Sequence, residues 1–309
     1  MSRSTRCTKS ITLLVIAIFI TVCLFPLVVG ASVEKTTKNA SLRDTLYVGG
    51  SGPGNYTTIQ EAIDDANRGD AVFVFNDSSP YNENIIINKS INLIGEDRDT
   101  TVIDGNSDED VITISADWVN ISGFTIFNGS YSHSGILLMN SSNCIIEENM
   151  IIENEYNIYI KENSCNNLIS KNVIISSIWQ ATGIGIAYSN NNVISWNVVK
   201  ESWVGIAIGN SVKNEIYRNN ITQCDQFGLA LYHSFSNIIS QNNFINNELV
   251  DAFWVIALSL YPKFGFNKWM GNYWSRSRVL PKPIFGFLLF YIPWLTFDFH
   301  PALEPYDIS

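Results

Sequence analysis

A six-residue frame recurs along the chain and leaves few architectures open. Ile, two variable residues, Asn, one more residue and an apolar residue occur at Ile146/Asn149/Ile151, Ile169/Asn172/Ile174, Ile194/Asn197/Val199, Ile216/Asn219/Ile221 and Ile239/Asn242/Phe244. Ile121/Phe124/Ile126 fits the same frame with Phe in the Asn place. Successive copies lie about 22 to 25 residues apart, a period that marks a solenoid. Between copies runs a second short segment that alternates with period two: Gly135-Ile-Leu-Leu, Asn157-Ile-Tyr-Ile, Gly183-Ile-Gly-Ile, Gly205-Ile-Ala-Ile and Gly228-Leu-Ala-Leu. Such alternation reads as a half-buried strand.

One coil of this length cannot bury a core alone. Coils stacked about 4.8 Å apart can, each strand pairing with its copies above and below. Two inward columns are expected, Ile136/Ile158/Ile184/Ile206/Leu229 and Leu138/Ile160/Ile186/Ile208/Leu231. The Asn residues Asn149, Asn172, Asn197, Asn219 and Asn242 should then stand at the same bend of every coil. Asn tolerates left-handed backbone and bonds neighbouring peptide groups, so a structural amide ladder is expected there. The expected fold is a right-handed parallel β-helix solenoid, all-β, with an N-terminal capping helix and an aromatic C-terminal cap.

On these residues the chain resembles pectin-lyase-like parallel β-helices from about residue 45 to the end. Within them it is similar to exported NosD-like proteins and to the carbohydrate-binding and sugar-hydrolase β-helices common on archaeal cell surfaces. The resemblance is specific for fold; this architecture hosts lyases, hydrolases, binders and inert surface proteins. It implies three readings of function: a surface polysaccharide binder or display protein, a polysaccharide lyase or glycoside hydrolase, or a NosD-like accessory to copper-enzyme maturation.

Residues 1–31 read as an export segment. Arg3, Arg6 and Lys9 precede an apolar run from Ile11 to Gly30, and Gly30, Ala31 and Ser32 offer a cleavage point. The run is also long enough to anchor the chain uncleaved. Residues 32–45 form a polar lead, 46–252 the β-helix with regular coils over 119–252, and 253–309 the cap. Tyr47-Val-Gly-Gly-Ser-Gly-Pro-Gly-Asn lacks the Lys-Ser/Thr of a phosphate loop. Thr58-Ile-Gln-Glu61 is a capping box opening a helix over 58–68, with Ile59, Ala62, Ile63 and Ala66 on one face to plug the first coil. Asp64-Asp65 on that helix reads as solvated charge.

A net charge of −10 argues against nucleic acid or an anionic membrane surface as partner of the chain as a whole; membrane contact is expected through the N-terminal segment, with Phe287 to Leu295 as the lesser alternative. Polysaccharide or envelope glycan is the expected partner, with other surface proteins as a second class. Cys144, Cys165 and Cys224 are expected as free thiols, since Cys144 and Cys165 fall out of line by two residues. His133, His233 and His300 are scattered and no H-x-H or C-x-x-C occurs. No cofactor is expected, copper least of all, with Ca2+ left open. Sequons begin at Asn39, Asn55, Asn76, Asn88, Asn120, Asn128, Asn140 and Asn220.

No polygalacturonase or pectate-lyase catalytic set is found on the coils. Glu155, Ile178, Trp203, Asp225 and Glu248 each fall nine residues after a frame Ile, which would stack Trp203, Asp225 and Glu248 beside Glu201. Asp225 and Glu248 are the catalytic candidates, as paired carboxylates for a retaining hydrolase. Trp203, Glu201, Tyr159 and Tyr232 are the ligand-binding candidates. The outward rows Leu137/Tyr159/Gly185/Ala207/Ala230 and Met139/Lys161/Ala187/Gly209/Tyr232 should form a shallow groove for a glycan or for the C-terminal tail. Pro281, Pro283 and Pro293 break the apolar run Ile284 to Phe297, so it is no membrane helix.

Overall fold

The computed structural model describes residues 44–106, 109–129, 132–256, 265–289 and 291–308. The expected export segment and Asn39 lie outside them. Each coil lays down one strand in each of three parallel sheets. In one coil, Ile145–Glu147 joins sheet A, Met150–Ile152 joins sheet B and Tyr156–Lys161 joins sheet C. Among the described residues the sheets have ten, nine and ten strands.

Register follows the side chains. Ile136 pairs with Ile158, then Ile184, Ile206 and Leu229; Leu138 pairs with Ile160, then Ile186, Ile208 and Leu231. Both columns are buried and continuous with one core. A slip by one residue would turn every Ile outward, and each costs about 1.5–3 kcal/mol to expose, so register is strongly specified.

The Asn column forms the ladder. Each Asn Oδ1 accepts from the backbone N–H and the Nδ2 of the Asn one coil earlier: Asn149 to Asn172, Asn172 to Asn197, Asn197 to Asn219 and Asn219 to Asn242, all at 2.9–3.3 Å. Each Nδ2 also donates to a carbonyl of the coil before, as Asn197 does to Ile169. At the N-terminal end the Phe124 N–H donates to Asn149 Oδ1. The left-handed residue is the one before each Asn, namely Glu148, Lys171, Trp196, Arg218 and Gln241, with φ of 52° to 59°. That corrects the expectation that Asn adopts this conformation. The amide must point inward to meet its neighbours, so the turn is made one residue earlier, where the side chain is free to face outward.

A second ladder passes through Asn167, Asn192, Asn214, Asn237 and Asn267 at the turn from sheet C to sheet A. Beside it, Ser141, Ser164, Ser189, Ser211 and Ser234 each receive or donate a backbone N–H to hydroxyl bond one coil away. Buried backbone at each bend thus keeps its hydrogen bonds without water.

Both ends are closed. The helix Ile59–Asp65 buries Ile59, Ala62 and Ile63, with Thr58 Oγ1 accepting from Glu61 N at 3.3 Å. It stops short of residue 68. The Glu83 carboxylate also accepts the Ile59 and Gln60 N–H groups at 2.8 and 2.9 Å, placing charge at the helix start. Asp64 and Asp65 accept from Gln60 and Tyr56 on the outside.

At the other end the coils run past residue 252. Lys268–Met270 and Tyr273–Trp274 add a further turn to sheets A and B, with Trp269 and Trp274 in the places of Ile239 and Phe244. Asn242 passes the ladder to Asn272, whose N–H and Nδ2 donate to the buried Asp298 carboxylate at 2.8 and 3.0 Å. Lys282–Leu288 extends sheet C and turns back antiparallel as Ile292–Asp298. The tail then pairs Tyr306 with Asn243 on sheet B, both ways at 2.8 Å. It docks away from sheet C and does not fill the outer groove there.

Candidate functional site: the outer face of sheet C

The two outward rows stand in the expected register. Tyr159 pairs with Gly185, then Ala207, then Ala230; Lys161 pairs with Ala187, then Gly209, then Tyr232. Of these small residues Ala187, Ala207 and Gly209 are partly exposed and floor a shallow trough, while Gly185 lies beneath the Tyr156 and Tyr159 rings and Ala230 is buried. Tyr159 walls one end, stacked on Tyr156 with centroids 4.6 Å apart. The Lys161 ammonium lies 5.6 Å from the Tyr159 ring centre. Burial first, then neighbouring Tyr156, Tyr188 and Glu162, raise the Tyr159 pKa, so its hydroxyl stays a neutral donor. Gly185 lets the ring lie close: a Cβ there would stand 3.0 Å from Tyr159 Cδ2. Tyr232 and the stacked pair Phe227 and Phe253, centroids 5.2 Å apart, wall the other end. At Gly209 a Cβ would meet nothing nearer than Ile186 O at 3.9 Å, so the floor is open.

Trp203 borders the trough at the turn from sheet B to sheet C. Its ring meets Trp179 edge-on, centroids 6.0 Å apart, and Trp179 is 66% exposed. Trp179 escaped sequence reasoning because it sits in an expanded turn between Ile174 and Ile184, outside the frame; an exposed Trp in an overlong turn was the available signal.

Asp225 N donates to Ser202 O and Glu248 N to Cys224 O, the parallel-ladder bonds that set Asp225 over Trp203 and Glu248 over Asp225 on consecutive coils. The turn carries one more residue in the Asp225 and Glu248 coils (Ile221 to Leu229, Phe244 to Ala252) than in the Trp203 coil (Val199 to Ile206), and it enters after this column, as Gln226, whose N–H also donates to Trp203 O at 2.9 Å. Asp225 and Glu248 are both exposed. Glu201 pairs with Lys200 at 3.5 Å, both partly exposed, a contact worth at most about 1 kcal/mol.

A second depression, about 680 Å3, lies where the loop 96–100 overhangs the A-to-B turns. Its charged groups already have partners: Lys171 with Glu148 at 2.9 Å and Arg98 with Asp99 at 3.3 Å. Its indole, Trp196, is covered by Arg218 at 4.8 Å.

Three parallel sheets closed into stacked coils define a parallel β-helix. The chain belongs to the NosD family: residues 63–278 match the family described as periplasmic copper-binding protein (NosD). A cell surface glycoprotein of Methanothermus fervidus is 37% identical over 97 residues, 31% of this chain. The match spans only 16% of that glycoprotein's length. An alginate lyase from Paenibacillus sp. superposes with a TM-score of 0.51 at 15% identity, covering 76% of this chain and 88% of the lyase. The Dettilon tailspike protein superposes with a TM-score of 0.54 at 16% identity, covering 74% of this chain and 49% of the tailspike. Both are similar in fold.

The family description raises copper. Among the described residues no three His, Cys, Asp or Glu side chains converge. His133 faces Asp110 at 3.8 Å, far along the chain from His233 and His300. Burial pushes the Cys144 thiol up to about 11 and the Cys224 thiol up to about 12, which keeps both protonated and poor ligands. The described residues do not fit a copper ion. In the native fold at pH 8, Cys144 and Cys224 are expected to resist a thiol reagent for hours, whereas denaturant should expose both at once. Rapid native labelling of either, located by peptide mapping, contradicts their burial.

Proposed function

We propose that this chain is an exported surface protein that binds polysaccharide along the outer face of sheet C. The trough carries the reading: rigid aromatic walls at Tyr156/Tyr159 and Tyr232, a floor of Gly and Ala, and the Trp179/Trp203 pair at its border. Pyranose rings present apolar C–H faces that stack on such rings, while hydroxyls reach the tyrosine oxygens and Lys161. Rigid aromatics give contact area at little entropic cost. The basic leader expected at residues 1–31 and the resemblance to a protein named as a cell surface glycoprotein support the surface location.

A six-residue strand is about 20 Å long, so the trough accommodates a short oligosaccharide rather than one sugar. Asp225 and Glu248 border it as solvated carboxylates. A retaining hydrolase keeps one such acid protonated by apolar enclosure, and both of these side chains are exposed. Binding without cleavage is therefore the favoured reading.

Glycan-array screening followed by titration of the best neutral or acidic hit tests this. Tyr159→Ala and Trp203→Ala should each weaken binding by about tenfold, equivalent to ~1.4 kcal/mol. Gly209→Trp should abolish it by filling the floor without touching the core. Absence of any glycan hit, or full affinity in Gly209→Trp, overturns the proposal. Release of reducing or unsaturated ends, lost in Asp225→Asn, replaces it with the hydrolase or lyase reading.

A further inference from the structure

The C-terminal hairpin carries a surface unlike the rest of the molecule. From Ala252 to Phe297 the chain holds no Asp or Glu, while Lys263, Lys268, Arg276, Arg278 and Lys282 fall within that stretch. The whole chain has 29 acids and a net charge of −10, so the charge asymmetry is between one end and the remainder. The same segment exposes large apolar groups: Tyr291 at 85%, Leu280 at 76%, and Ile292 and Trp294 each at 48%. Phe285 and Leu295 pair across the two strands on the outer face, 48% and 43% exposed, beside the Phe287/Pro293 pair and Phe297, while Ile292 and Trp294, paired with Leu288 and Gly286, lie on the other face. Isolated exposed apolar residues need no explanation, but a contiguous group on an edge hairpin does.

We propose that this hairpin docks on an anionic lipid surface. The composition is that of an interfacial element: Tyr at the tip, Trp, aliphatic and Phe side chains on the strands, and basic residues beside them. Lys282 is drawn inward to Asp251 at 3.4 Å and over Trp274 at 5.3 Å. Lys268 and Arg276 are exposed and supply the attraction to headgroups. Ile292–Asp298 is the last strand of sheet C, so its outer backbone edge is unpaired within the sheet. Burying that edge in hydrocarbon costs several kcal/mol per polar group, so the hairpin lies at the headgroup boundary and does not cross the bilayer. The hairpin's outer face continues the aromatic wall of the sheet C trough, with Phe287 edge-on to Phe253 at 6.0 Å.

Residues 44–309 contain their own core and both end caps, so they serve for the test without the apolar leader. Flotation with phosphatidylglycerol vesicles should carry at least tenfold more protein than flotation with phosphatidylcholine, and 0.5 M salt should reduce the difference. Tyr291→Asp/Leu295→Asp should lower the bound fraction at least tenfold with an unchanged melting transition. Should the double variant fail to fold, Tyr291→Asp alone provides the same comparison at the most exposed tip residue. The proposal is overturned if the unaltered protein floats with neither lipid, or if the folded variant floats equally well. It is also overturned if the variant removes a lipid-independent dimer seen by light scattering, which assigns the face to a second copy.

Discussion

Asp298→Ala is expected to destabilise the solenoid by about 4–6 kcal/mol, read as a fall in the urea midpoint. The carboxylate is fully buried and accepts five donors: Gly271 N, Asn272 N, Asn272 Nδ2, Trp274 Nε1 and His300 N, at 2.8–3.2 Å. Each bond to a charged acceptor contributes about 1.5–3 kcal/mol, and the sum is reduced because water reaches a loosened end. The orientation of the ladder explains why a carboxylate belongs there. Every Nδ2 along the column points toward the next coil, so the amide dipoles align and the last coil is left with unpaired N–H groups. Asp298 closes that end as an acid closes the N-terminus of a helix. Asp298→Asn retains the shape but turns an amide NH2 or a weaker acceptor toward the same donors, and should lose roughly half as much. Hydrogen exchange gives the local readout: amides of residues 268–274 should exchange at least tenfold faster in Asp298→Ala than those of residues 145–161. A variant with an unchanged midpoint and unchanged exchange at the last coil removes Asp298 from this role.

The fold was legible because its signal is redundant. Ile136, Ile158, Ile184 and Ile206 announce the same inward column four times, and pairing forces each above the last. The Asn column was visible for the same reason. What remained hidden was either masked by substitution or set by distant chain. Trp269, Asn272 and Trp274 obey the frame, but two indoles replace the aliphatic residues, so the final coil reads as the start of an aromatic cap. The second Asn ladder precedes each frame Ile by two residues and did not stand out, because Asn is common in turns throughout the chain. Asp298 meets Asn272 only because a hairpin folds back, a contact no local pattern contains. In the candidate site, the outward rows were readable from alternation alone. The Trp203, Asp225 and Glu248 column follows from counting nine residues from the frame Ile, whereas the extra residue Gln226 was hidden, because it enters the turn after that column.

Asn197→Ala tests whether the ladder stabilises the coils or merely decorates them. Removing the amide takes a partner from four buried groups: the Asn172 N–H, one Asn172 Nδ2 hydrogen, the Ile169 carbonyl and the Ser195 carbonyl, the last of which keeps the Lys171 N–H. Asn219 Oδ1 keeps one donor, the backbone N–H of residue 197. An unsatisfied buried polar group costs about 1–3 kcal/mol, so a loss of about 3–6 kcal/mol is expected before any relaxation. Asn197→Asp is a sharper comparison. It keeps the acceptor toward Asn172 but loses the donors to Ile169 O and Asn219 Oδ1, and it places a charge against both oxygens. It should be at least as damaging as alanine at pH 7, and less so at low pH, where the protonated acid can again donate one bond. Because each coil touches only its neighbours, damage in mid-solenoid should split the unfolding transition, with the coils on either side of residue 197 melting separately. A terminal lesion such as Asp298→Ala should instead lower one transition from the end. A single unshifted transition in Asn197→Ala would show that the apolar columns alone hold the stack.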